Sequence, residues 1–186
     1  MTWQAKFGRM AAMLALAVTL AAHSHAQVRN SGASTITLQA TLTPSVTVIL
    51  SSNAVNFNLT PGNANNPGSN SITATTSWAV NNAVGLVSVY AFFANSASAL
   101  SDGAGDNIPS ASFQISDNAG AFNALTNSVA FGGANAGLRL GTTLIFLTNE
   151  SGSRTDVLNF NINLSTLPNL PAGTYTGTLT IQAQAI

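Results

Sequence analysis

Few side chains in this sequence could do chemistry, and their types exclude more than they allow. Both histidines, His23 and His25, and the only lysine, Lys6, lie within the first 26 residues. From Gln27 onward the chain carries Arg29, Arg139 and Arg154 against Asp102, Asp106, Asp117, Glu150 and Asp156, and it has no cysteine at all. Without imidazole or thiolate there is no soft ligand for a transition metal. The Ser-His and Cys-His nucleophile arrangements are absent for the same reason. Three arginines cannot neutralise a run of phosphates, so nucleic acid is not an expected partner.

Two acidic arrangements remain. Asp102 and Asp106 stand in Ser-Asp-Gly-Ala-Gly-Asp-Asn, and with Asn107 they offer the oxygen ligands that calcium takes. Two carboxylates are few, the spacing is not that of an EF-hand, and the same residues read as a solvated loop. Asp117, Glu150 and Asp156 could supply the carboxylate pair of a glycosidase. All three fall at expected turns or strand ends, where turn chemistry accounts for them. No tuned acid or base is signalled. The chain therefore reads as non-catalytic, with no cofactor and no metal.

The elements that would position such residues begin after a leader. Lys6 and Arg9 precede an uncharged apolar run from Met10 to Ala22, and Ser24-His25-Ala26 supplies small residues before Gln27. This is the pattern of a signal peptide over residues 1–26, with cleavage before Gln27. The apolar run is short for a membrane span, so none is expected after cleavage. The expected destination is the periplasm, the cell surface or the medium. Residues 27–186 are the length of one domain.

Period two dominates that domain. Residues 173–186, GTYTGTLTIQAQAI, put Tyr175, Leu179, Ile181, Ala183 and Ala185 on one parity, with threonines and glutamines on the other. One buried and one wet face is the signature of a strand. Residues 35–42, TITLQATL, alternate the same way, with Ile36, Leu38, Ala40 and Leu42 in phase. Further strands are expected over 45–51, 54–60, 72–80, 84–94, 110–116, 138–148 and 155–164, with a weaker one in 121–131. Residues 84–94 are apolar on both parities, as a strand covered on both faces would be. Residues 61–70, 95–109, 132–137 and 149–154 read as loops and turns. About nine or ten short strands at this spacing predict an all-β fold, a single antiparallel immunoglobulin-like β-sandwich. A membrane barrel would need an apolar outward face, and here that parity is Thr, Asn and Gln. Trp78, Phe92, Phe113 and Phe160 are expected in the core, Tyr90 and Tyr175 lie inside strands, and Phe122 and Phe131 are the loose aromatics that could stack on a sugar.

The ending Leu-Pro-Ala-Gly-Thr-Tyr-Thr-Gly-Thr-Leu-Thr-Ile, within residues 167–186, resembles the last strand of secreted bacterial immunoglobulin-like domains. Spore coat protein U-like and fimbrial, pilin-type subunits are the families it is similar to. Such pilins often carry a cysteine pair and end near an aromatic residue, whereas this chain has no cysteine and ends Gln-Ala-Gln-Ala-Ile. The resemblance implies a structural surface subunit of a fimbria-like or coat-like assembly, whose partners are copies of itself or related subunits joined by strand pairing. Ile36, Leu38, Ala40 and Leu42 are then the plugging side chains of a donated strand, as in fimbrial families. The alternative at that segment is an ordinary first strand, which the strand count favours. The second candidate edge is the last strand, with Tyr175, Leu179, Ile181 and Ala183. The competing function is a monomeric adhesion or carbohydrate-binding module that meets a glycan or matrix protein through loops 95–109 and 132–137.

Overall fold

The computed structural model describes residues 32–81 and 84–186. All strands lie in one unit, Leu42–Ile186, while residues 32–41 belong to a second and carry no strand. The expected leader lies outside the described residues.

In chain order the strands are β1 (Ser45–Leu50), β2 (Asn66–Pro67), β3 (Ile72–Ala79), β4 (Val84–Phe92), β5 (Leu100–Ser101), β6 (Asn107–Ile108), β7 (Phe113–Asp117), β8 (Asn123–Ala124), β9 (Gly137–Phe146), β10 (Ser151–Ile162) and β11 (Thr180–Ala185). One 3-10 turn, Ser110–Ser112, is the only helical element among the described residues. Every ladder is antiparallel. The larger sheet has six strands, ordered β1-β3-β10-β7-β8 with β2 also on β10; the smaller is β11-β4-β9, and β5-β6 forms a separate hairpin.

The alternation explains how the two sheets face each other. On β3 Ile72, Ala74, Thr76 and Trp78 are buried, while the residues between them are half-buried. On β10 Asp156, Leu158, Phe160 and Ile162 are buried. Opposite them Val87, Val89 and Ala91 of β4 point inward, and Phe93 continues the row. Phe113 is the hub of the main core. Its ring meets Phe57 and Phe93 edge to face at 5.8 and 5.2 Å and lies tilted against Phe160 at 6.0 Å. Such pairs add to the burial of large apolar rings. A second, smaller cluster joins Trp78, Val87 and Ile145, and the Trp78 Nε1–H donates to the Asn149 carbonyl at 3.0 Å.

Several expectations need correction. Residues 35–42 are not an ordinary first strand, although their pattern is clean. A pattern needs a neighbour to become a ladder, and among the described residues none is paired with it. Residues 54–60 contribute only an isolated bridge, Phe57 to Gly68, and 121–131 shrink to β8. The expected loops 61–70 and 95–109 contain β2 and the β5-β6 hairpin. The turn expected at 149–154 is shorter, because β10 starts at Ser151 and pairs with β3 from there. The start of the expected strand 110–116 is the 3-10 turn, where Ala111 is exposed, and in β10 Asn161 is buried, donating to the Ala64 carbonyl and the Gln114 amide oxygen. The last strand is regular only from Thr180, with Thr176 bridging Ser101 upstream.

Truncating Phe113 to Ala should cost about 3–5 kcal/mol in a denaturant melt, because three aromatic neighbours lose their partner at once. A loss under 1 kcal/mol would remove Phe113 from the centre of the core.

Candidate strand-pairing surfaces

The segment before β1 places its apolar side chains in the open. Ile36, Leu38 and Leu42 are 85%, 89% and 82% exposed, and Ala40 between them is exposed too. Threonine and glutamine separate them, so a single extended conformation would gather all four on one side. Pro44 closes the segment and lacks the N–H a ladder would need.

The second surface is a seam between the sheets. β1 is an edge of the larger sheet and β11 an edge of the smaller, and the two strands lie alongside each other. Their inward side chains remain only partly covered: Val46 and Val48 on β1, and Ile181, Ala183 and Ala185 on β11, are half-buried, as is Leu179 just before it. Yet Leu179 and Ile181 pack on the main core, and Val46 and Ala185 on the Trp78 cluster. At one end of the seam Pro44, Val46, Val80 and Ala185 line a shallow open depression. The edges themselves are backbone rows with no charged side chain on β1 or β11. Charged gatekeepers that ordinarily discourage edge pairing are therefore missing. Tyr175 is half-buried, and its Oη–H donates to the Pro171 carbonyl at 2.9 Å, which fixes the corner leading into β11.

The acidic candidates are placed differently. Asp102 Oδ1 accepts from the amides of Ala104, Gly105 and Asp106 at 2.9, 3.2 and 3.0 Å, so it closes its own loop. Glu150 sits in the turn before β10, but Asp117 and Asp156 converge on Arg154. Asp156 is a mid-strand residue with no exposed surface, which corrects its placement at a strand end. Arg154 and Asp156 are two apart on β10 and both point inward, so the guanidinium donates to both carboxylate oxygens. Asn118 Nδ2 donates to Asp156 as well, at 3.2 Å. The guanidinium crosses to β9 and lies over Gly141, where any Cβ would collide with it. Asp117 Oδ2 is 3.8 Å from Arg154, and its buried Oδ1 has no hydrogen-bond partner. The arrangement is a charge cluster in which Arg154 lies between the buried Asp156 and the partly exposed Asp117.

The aromatics divide by face. Trp78, Phe113 and Phe160 are buried between the sheets. Phe92, expected in the core, is buried instead on the outer face of the smaller sheet, where it shares Tyr90's parity and lies tilted on Phe131 at 5.9 Å. Tyr90 points to the outer face of the smaller sheet, where it meets Phe131 edge to face at 5.9 Å. In the row across that sheet Gln182, Tyr90 and Arg139 stand side by side. Phe122 is exposed in a different loop. Phe131 was expected as a loose aromatic, but its partner Tyr90 was not, because Tyr90 sits in a run apolar on both parities. The chain matches no family model and no curated protein.

Burial raises the Asp117 carboxyl above its ordinary value, and the neighbouring Asp156 adds to this against the opposing pull of Arg154. The folded chain thus binds this proton more tightly than the unfolded chain. Stability from this group is greatest in acid and falls as pH rises from its unfolded pKa near 3.8 through the higher folded one. Asp117→Asn should raise the melting temperature at pH 7, with the gain shrinking toward zero near pH 3. A variant less stable than the parent at both pH values would contradict this account.

Proposed function

We propose that this chain is an exported, non-catalytic structural subunit of an immunoglobulin-like kind, which joins copies of itself or related subunits into a fimbria-like or coat-like surface assembly by strand donation. The observation that carries the reading is a complementarity within one sequence. Ile36, Leu38, Ala40 and Leu42 form an alternating apolar row with no ladder of its own, while β1 and β11 flank a seam whose apolar floor is half-covered. An extended segment added along such an edge gains backbone hydrogen bonds for affinity and side-chain pockets for register. Low charge favours close pairing of neutral edges. The Tyr175 corner and the paired antiparallel sheets suit an immunoglobulin-like sandwich.

A second reading is a monomeric module that binds a glycan. The outward Tyr90–Phe131 pair beside Gln182 and Arg139 favours it, since sugars are held by aromatic rings and amide or guanidinium donors.

The chain from Gln27 should form ladders or large polymers when sized by light scattering. Leu38→Lys with Ala40→Lys should reduce it to monomers with an unchanged melting temperature. Persistence of polymers in that folded double variant would rule out the segment as donor. The glycan reading rests on a different measurement: Phe131→Ala should weaken retention on a polysaccharide matrix about tenfold, as loss of one stacking ring does. Equal retention would remove that face from consideration.

A further inference from the structure

One exposed apolar surface takes no part in either seam or core. On the smaller sheet the register sets Val84 opposite Phe146 and Leu86 opposite Leu144, and Leu86 exchanges both backbone hydrogen bonds with Ile186 at 2.9 Å. Val87 points into the core, so these neighbours of opposite parity all point out. Five side chains, Val84, Leu86, Leu144, Phe146 and Ile186, thus form two adjoining rows on one bare face, and Leu147 follows in the next turn. Further along, the same face turns polar, through Ser88, Thr142 and Gln184, whose register makes them the third row. A contiguous apolar surface rimmed by polar residues marks a contact site.

Its position decides what covers it. The patch occupies the end of the sandwich where β1 begins. Ser45 pairs with Ala79 at the close of β3, and Ala185 lines the same depression as Pro44 and Val46. Only Thr43 and Pro44 separate Leu42 from that end. Two residues reach roughly 7 Å when fully extended. A neighbour that receives residues 36–42 is therefore drawn directly against this end, with no slack to hold it away.

We infer that the exposed apolar end of the β11-β4-β9 sheet is the surface against which the body of the next copy of this chain packs, so that strand donation and body contact act together. The inference rests on the strand-donation reading. An apolar contact beside a donated strand limits rotation about a two-residue link, and it adds buried area that the strand alone does not supply.

The test separates the two readings by using two probes. A fluorescent peptide of residues 33–43 reports the acceptor seam alone, measured on the chain from Gln27 carrying Leu38→Lys and Ala40→Lys. Light scattering of the chain from Gln27 with its own segment intact reports assembly. Val84→Lys with Leu147→Lys is the first patch variant, chosen because these side chains are 71% and 76% exposed and carry little of the fold. Leu144→Ser with Phe146→Ser is the second. Peptide binding should stay within about twofold in both variants, while the concentration needed for assembly rises about tenfold or more, the scale of losing a central apolar contact. Assembly at the parent concentration, with peptide binding intact, overturns the inference. If the peptide binds no chain and the parent is a monomer, both readings fall. If the peptide binds no chain yet the parent associates and the patch variants do not, strand donation falls and the patch stands as the contact between copies.

Discussion

A sheet of six strands facing a sheet of three cannot cover itself. The apolar parity of β10 and β3 lies over β4 and its neighbours and is sealed, but among the described residues β1 and β11 are the edges of their sheets, and their inward side chains stay half-buried where the two strands lie alongside each other. Apolar surface left in water is costly in proportion to its area. The half-covered row from Leu179 to Ala185 is that cost made visible. β10 differs, since β3 pairs it from Ser151 to Leu158 and β7 from Leu158 to Ile162, so that a ladder runs along its whole length.

The Arg154–Asp156 pair sets the second constraint. It lies between the main core and the Trp78 cluster, so the sandwich has two apolar compartments with a charged layer separating them. A buried ion pair contributes little net stability but is expensive to break, since either partner alone would be an uncompensated charge in the interior. Gly141 is part of the same device. The guanidinium needs the space that a side chain on β9 would fill, and glycine is the residue that leaves it free. The layer therefore ties the register of β10 to that of β9 across the gap between the sheets.

Much of the fold was legible because its signal is local. Residues 72–80 announce β3 through Ile72, Ala74 and Trp78, and Leu158, Phe160 and Ile162 announce β10. What was not legible depends on partners distant in sequence. The segment at 35–42 has a cleaner alternation than β7 and yet forms no strand, since periodicity states which face a residue prefers and not whether a neighbour exists. Arg154 and Asp156 looked like turn residues because charge is rarely buried, and only pairing on one strand face makes it tolerable. The outward position of Tyr90 was hidden in a run apolar on both parities, where the residue that covers it, Phe131, comes some forty positions later.

The inward placement of Arg154 has one more consequence, which concerns proteolysis. Enzymes that cut after basic side chains must bind an extended, accessible stretch of backbone. Among the described residues only Arg139 and Arg154 offer such a bond. Arg154 is mid-strand with its guanidinium between the sheets, and Arg139 lies within β9, paired to Tyr90 of β4. The unit Leu42–Ile186 thus presents trypsin-like proteases with no basic residue in a loop among its described residues, and its digestion by them requires a strand to leave its sheet first.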